Sequence, residues 1–98
     1  MTEATVDALA AATTPTLIDV REPNEYQDGH IEGAINIPLG DLADGTRDVP
    51  NAHPVYVICH SGKRSAQGAQ ILTDHGLDAV SIRGGMSEWE ASGHPTVV

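Results

Sequence analysis

Residues 55–65 hold the side chains best suited to chemistry. Val55-Tyr56-Val57-Ile58 is an apolar run rich in β-branched residues, which predicts a buried, central, parallel strand. Cys59, the only cysteine of the chain, follows it directly, and small, polar and basic residues come next. Ser65 then opens a helical pattern. The order strand, tight loop, helix therefore places a nucleophilic thiol at the carboxyl end of a strand.

This position predicts a reactive cysteine. Ligands of open α/β sheets bind beyond the carboxyl ends of the strands, and a loop that curls into a helix directs backbone N–H groups at an anion. The helix dipole, Lys63 and Arg64 add positive potential. A free thiol has a pKa of about 8.5, which such surroundings lower. A buried structural cysteine, the alternative, does not explain why Gly62-Lys63-Arg64 follows it.

Composition limits the partners and the compartment. The 98 residues suit a single domain over residues 1–98, and the net charge of −9 disfavours nucleic acid and anionic membranes as partners. One cysteine forms no internal disulfide, and neither a signal peptide nor an apolar run of about 18 residues is present, so a cytoplasmic protein is expected. The five histidines lack metal-ligand spacing, so no metal site is expected. No cofactor of another kind is expected either.

Strands and helices alternate along the chain. Helices are predicted over residues 2–12, 65–75 and 86–92, with a short helix beginning at Pro23 and a loose helix or loop over 39–49. Strands are predicted over residues 16–20, 34–37, 55–59 and 79–82. The alternation favours right-handed βαβ crossovers and a parallel sheet with helices on both faces. A short N-terminal edge strand before the first helix stays an open possibility.

Four segments in this order resemble the signatures of the rhodanese family. They are LIDVRE at 17–22, GHIEGAINIP at 29–38, CHSGKRS at 59–65, and GGMSEW at 84–89 followed by GHP at 93–95. The resemblance covers nearly the whole chain. It implies the three-layer α/β fold of the family, with a central parallel sheet of four to five strands and the cysteine-bearing strand in the middle. The ends of the two neighbouring strands then support the loop with Asp19, Arg21, Glu22, Gly84, Gly85 and Met86.

The resemblance also implies an activity, that of a thiosulfate sulfurtransferase. Cys59 is then the catalytic nucleophile, which takes a sulfane sulfur from a small anionic donor such as thiosulfate. The resulting persulfide passes its outer sulfur to cyanide, a thiol or a thioredoxin-like acceptor. The substrate-binding residues are expected to be those of the loop, whose backbone N–H groups stabilise the anionic sulfur: His60, Ser61, Gly62, Lys63, Arg64 and Ser65.

Three loop side chains admit two roles each. Arg64 either holds the sulfonate end of a donor or bonds to Asp19 or Glu22 and rigidifies the loop. Lys63 either attracts anions or is simply solvated. Ser65 is expected to cap the following helix rather than to act in catalysis.

The end of the strand predicted over residues 16–20 and the residues after it carry a second set of charges. Asp19 and Arg21 are expected to form an ion pair that braces the loop, with Glu25 pairing with Arg21 in the same network. Direct contact of Arg21 with substrate is the less favoured alternative. His30 is expected to be structural and to hydrogen-bond the backbone near the end of the sheet.

Two other classes of function stay open. The first is a phosphatase or arsenate reductase of the same fold. The active-site loop of those enzymes resembles this one but has one more residue between the cysteine and the arginine, which widens the loop for a tetrahedral oxyanion. Four residues separate Cys59 from Arg64 here, so a narrower loop suited to one sulfur atom is expected. The second alternative is a sulfur-relay or regulatory binding module with little thiosulfate activity.

Overall fold

Five short strands form one parallel sheet in a computed structural model of the chain, which describes residues 2–98; of the predicted domain, only Met1 lies outside them. The strands are β1 (Thr2–Ala4), β2 (Thr16–Asp19), β3 (Ile35–Asn36), β4 (Val55–Ile58) and β5 (Ala79–Ile82). Their order in the sheet is β1-β5-β4-β2-β3, and every pairing is parallel. The predicted α/β class and the central position of the cysteine-bearing strand are confirmed.

Helices cover both faces of the sheet, as predicted. They are α1 (Val6–Ala11), α2 (Pro23–Gln27), α3 (Leu39–Asp44), α4 (Lys63–Asp74) and α5 (Gly85–Ala91). Because side chains alternate along a strand, the inner strands β5, β4 and β2 each contribute to two cores. One core joins the sheet to α3 and α4 through Ile18, Val57, Leu42, Ala69 and Leu72. The other joins it to α1 and α5 through Leu17, Ile58, Val6, Leu9, Met86 and Trp89.

The N-terminal segment differs from the predicted helix over residues 2–12. Thr2–Ala4 is the edge strand β1, which pairs with β5, and the helix is confined to Val6–Ala11. Thr5 is the N-cap, as its hydroxyl oxygen accepts the Ala8 N–H at 3.1 Å. The prediction was wrong because the first strand is short and mostly exposed, so no apolar alternation marks it, and pairing with β5 decides its conformation.

The remaining boundaries shift by a few residues. The strands predicted over 34–37 and 55–59 are shorter, at Ile35–Asn36 and Val55–Ile58, and the uncertain stretch 39–49 holds a helix over Leu39–Asp44. The helix predicted from Ser65 begins two residues earlier, at Lys63, and ends at Asp74. In residues 2–98, no helix has the length and apolar character that crossing a membrane requires.

Candidate active site

The cysteine lies where β4 ends and the chain turns into α4. Cys59 is 1% exposed, and its Sγ accepts the backbone N–H of Gly62 at 3.0 Å. Gly62 is the N-cap of α4 and has φ 108°, a conformation that favours glycine. A Cβ on Gly62 would also lie 3.3 Å from the backbone nitrogen of Gly84. The left-handed turn therefore favours glycine at this position, and the close approach of Gly84, which follows β5, leaves little room for a side chain.

Ser65 faces the thiol from the first turn of α4. It is fully buried, and its Oγ lies 3.5 Å from Cys59 Sγ, 3.1 Å from the carbonyl oxygen of Gly62 and 2.9 Å from Ser81 Oγ. The expectation that Ser65 caps the helix is wrong, because Gly62 occupies the N-cap position. Starting the helix two residues earlier turns the Ser65 hydroxyl back toward the sheet and the cysteine.

These contacts set the acidity of the thiol. Burial raises the pKa of Cys59, but hydrogen bonds from the Ser65 hydroxyl and from the backbone N–H groups of Ser65, Gly62 and Ser61 lower it by more. The net pKa lies below the ordinary value, so the thiolate is favoured. The other loop side chains, His60, Ser61 and Lys63, are exposed around the buried sulfur.

The end of β5 and the start of α5 support the loop from one side, in the position predicted for Gly84-Gly85-Met86. The backbone N–H of Met86 donates to the carbonyl of Cys59 at 2.8 Å, and that of Ser87 donates to the carbonyl of His60 at 2.9 Å. Gly85 has φ 56°, and a Cβ there would collide with the carbonyl oxygen of Cys59. Two N–H groups that the first turn of α5 would leave unpaired are thus satisfied by the loop.

Arg64 is bound by a carboxylate that the sequence did not assign to it. Its Nη1 and Nη2 donate to Glu25 Oε1 and Oε2 at 2.7 and 2.9 Å, so neither Asp19 nor Glu22 is its partner. The Arg64 hydrogen bond lowers the pKa of Glu25 to about 2, against an opposing effect of burial. Glu22 is exposed, and its backbone N–H donates to Glu25 Oε1 at 3.0 Å.

Asp19 and Arg21 form the predicted ion pair, buried beside the sheet edge. Arg21 Nη2 lies 2.8 Å from Asp19 Oδ2 and donates a second bond to the carbonyl of Gly29 at 2.8 Å. Arg21 therefore ties β2 to the loop after α2, and the predicted Glu25–Arg21 bond is wrong because Glu25 binds Arg64. His30 Nδ1 lies 2.8 Å from the carbonyl of Tyr26, a structural contact of the expected kind.

A family model described as a rhodanese-like domain matches residues 2–92. The chain belongs to this family. The rhodanese-like domain superposes on a rhodanese-related protein from Thermoplasma volcanium with a TM-score of 0.91 and 33% identity, over 99% of this chain and 98% of the other. These findings confirm the predicted family and fold.

Curated relatives of the rhodanese-like domain differ in length and in name. One is the thiosulfate sulfurtransferase GlpE of Shewanella oneidensis, 34% identical over 83% of this chain and 81% of the relative. Another is the uncharacterized protein YqhL of Bacillus subtilis, 43% identical over 74% of this chain. The chain spans 59%, 40% and 36% of the lengths of three curated relatives that it matches.

The roles of two residues of the rhodanese-like site, Glu25 and Ser81, were not predicted from the sequence. Glu25 was assigned to Arg21, although β2 and β4 are neighbours and the helices after them begin at the same edge of the sheet. That adjacency, together with opposite charge, was the available signal for the Glu25–Arg64 pair. Ser81 carried one weak signal, a hydroxyl within the otherwise apolar strand Ala79–Ile82. Among residues 2–98, no cluster of three potential metal ligands is present.

Proposed function

We propose that this rhodanese-like domain is a sulfurtransferase, which carries a sulfane sulfur as a persulfide on Cys59. The observation that supports the proposal best is the pair of groups at the buried sulfur: the Gly62 N–H donates to it at 3.0 Å, and the Ser65 hydroxyl, 3.5 Å away, can donate to it once the thiol has lost its proton. Such donors stabilise a thiolate and would equally stabilise the anionic outer sulfur of a persulfide. The relationship to a named thiosulfate sulfurtransferase agrees with this chemistry.

The first half-reaction loads the cysteine. The Cys59 thiolate attacks the outer sulfur of thiosulfate and forms a new S–S bond. The bond between the outer sulfur and the sulfonate sulfur breaks, and sulfite leaves with the electron pair. Charge balances, because a thiolate and a dianion give a persulfide anion and a dianion.

The second half-reaction returns the cysteine to its thiolate. The acceptor attacks the outer sulfur of the persulfide, and Cys59 leaves with the electron pair. With a thiolate acceptor the product is a new persulfide, and with cyanide it is thiocyanate. We propose a small thiol or a thioredoxin-like protein as the acceptor, since a reducing cytoplasm supplies both.

Arg64 and Lys63 are the cations that we propose for an anionic donor. Lys63 is exposed at the first position of α4, so it can attract a donor to the loop. Arg64 is partly exposed and already bound to Glu25 through two nitrogens. A sulfonate must therefore bind to its remaining N–H groups or compete with the Glu25 carboxylate.

The same loop length weighs against phosphoryl or arsenate chemistry. Four residues close the loop between Cys59 and Arg64, and the Gly62 N–H already points at the sulfur at 3.0 Å. The second candidate is a relay or regulatory role with little thiosulfate activity. The exposed loop residues His60, Ser61 and Lys63 favour this role, because a partner protein that supplies the sulfur can contact them.

Intact-mass measurement after incubation with thiosulfate tests the proposal. Wild type is expected to gain one sulfur atom, which a reductant removes, and Cys59→Ser is expected to gain none while keeping its circular dichroism spectrum. Wild type alkylated beforehand with iodoacetamide is the matched control, because Cys59 is its only thiol. Sulfur loading of folded Cys59→Ser, or no loading of wild type by thiosulfate or by a persulfide, contradicts the proposal.

A further inference from the structure

Ser81 lies behind the residue that contacts the thiol. It sits within β5, is fully buried, and places its Oγ 2.9 Å from Ser65 Oγ. Within residues 2–98, Ser65 is the only hydrogen-bond partner of the Ser81 hydroxyl. Burying a hydroxyl among apolar strand residues has a desolvation cost that its hydrogen bond must offset. The position of Ser81 therefore calls for a reason beyond packing.

The protons of this cluster can be counted. The Ser65 hydroxyl has one proton and three neighbours that can accept it: the carbonyl of Gly62, Ser81 Oγ and Cys59 Sγ. When Cys59 is a thiolate, a bond from Ser65 to the sulfur uses that proton. Ser81 must then be the donor in its bond with Ser65. The Gly62 carbonyl is not left unpaired, because the Ala66 N–H donates to it at 3.3 Å.

We propose that Ser81 is a positioning residue for sulfur transfer, whose O–H donates to Ser65 Oγ and thereby directs the Ser65 proton at the Cys59 sulfur. A hydroxyl that accepts a hydrogen bond becomes a stronger donor, so Ser81 strengthens the Ser65–thiolate bond without contacting the sulfur. The inference concerns the thiolate, and its role in catalysis rests on the proposed function of Cys59.

Charged and titratable groups are present on the elements that adjoin the cluster. They are His60, Lys63 and Arg64 of the loop and α4, Glu22 and Glu25 at α2, the Asp19–Arg21 pair at the end of β2, Arg83 after β5 and Glu88 of α5. Substitution of a serine changes none of them. Their effects on Cys59 are therefore common to all variants, and a difference between variants at fixed ionic strength reports the hydroxyls.

The test measures the pH midpoint of Cys59 alkylation by iodoacetamide, followed by intact mass, in a double-mutant cycle. Ser81→Ala is expected to raise the midpoint by about 0.5 unit, which slows alkylation about threefold at pH values below it. Ser65→Ala is expected to raise it further. The double variant is expected to match Ser65→Ala, because Ser81 acts through Ser65. Ser92→Ala, at an exposed position after α5, is the control.

Two results overturn the inference. One is an unchanged midpoint in folded Ser81→Ala, and the other is a Ser81→Ala shift that persists in full in the Ser65→Ala background. Ser81→Thr and Ser81→Val form a second, nearly isosteric pair that decides the question if Ser81→Ala does not fold. The threonine variant is expected to titrate at least as low as wild type and the valine variant higher, and equal midpoints contradict the role of the hydroxyl.

Alkylation does not depend on sulfur transfer, so the two proposals can fail separately. A Ser81-dependent midpoint in a protein that no sulfur donor loads contradicts the proposed function alone. A protein that loads sulfur normally but whose midpoint ignores Ser81 contradicts the positioning role alone.

Discussion

Arg64 and Glu25 join two helix starts across the loop through a bidentate ion pair, with N···O distances of 2.7 and 2.9 Å. They lie 39 positions apart in the chain. The pair fixes the first turn of α4 against α2. The Glu25 carboxylate also neutralises most of the positive charge of the Arg64 guanidinium. We therefore expect the pair to affect both the stability of the site and its affinity for anions.

Glu25→Gln is expected to lower the free energy of unfolding by about 1 kcal/mol at neutral pH, since partial exposure screens the pair. The folded-state pKa of Glu25 is about 2, below the ordinary 4.5, so the contribution is complete above pH 4.5 and is lost as pH falls toward 2. Urea unfolding of both proteins at several pH values checks this. Glu90→Gln, at an exposed position of α5, is the matched control, and a wild-type advantage that persists undiminished near pH 2 contradicts the prediction.

Arg64→Lys is expected to raise the KM for thiosulfate about tenfold, because an ammonium cannot form the planar two-point contact with an oxyanion. With dimethyl trisulfide, a neutral sulfane donor, the variant is expected to change little. The comparison of donors separates the two roles of Arg64. An equal loss of kcat/KM with both donors shows that Arg64 acts by holding the loop, not by binding the sulfonate.

The rate of persulfide formation is expected to rise with pH through the Cys59 pKa and then to level off. The thiolate is the nucleophile, and its hydrogen bonds place that pKa below the ordinary value, so the midpoint is expected below that of a model thiol. The rates of alkylation and of sulfur loading from thiosulfate, each measured by intact mass on samples quenched at fixed times, are expected to have the same pH midpoint. A midpoint at or above that of a model thiol contradicts the hydrogen-bond argument.

Insertion of one glycine after Gly62 is expected to weaken sulfur transfer and to improve binding of phosphate or arsenate. The loop closes with four residues between Cys59 and Arg64, and one more would draw the Gly62 N–H away from its 3.0 Å contact with the sulfur. The ratio of sulfur transfer to oxyanion binding, at fixed ionic strength, is the measurement. An unchanged ratio, or efficient hydrolysis of an aryl phosphate by wild type, removes loop size as the selector.

Features that depend on neighbouring residues were predictable from the sequence, and features that depend on contacts between distant parts of the chain were not. The apolar runs of β2, β4 and β5 and the position of Cys59 after β4 are local patterns, and the structure agrees with them to within one or two residues. The family resemblance supplied the order of the strands around β4, which periodicity does not contain. The edge strand β1 could not be derived, because its three residues become a strand by pairing with β5.

The sequence by itself determined the fold class and the position of Cys59 and its loop between a strand and a helix, since alternating strands and helices and a cysteine before Gly62 are encoded by neighbouring residues. Tertiary structure decided the partners of the polar side chains. Arg64 binds Glu25, and Ser65 turns from the predicted cap toward Ser81 and the thiol. Several acids and hydroxyls were chemically equivalent candidates, and only the packing of distant strands and helices brought one of each within hydrogen-bond distance.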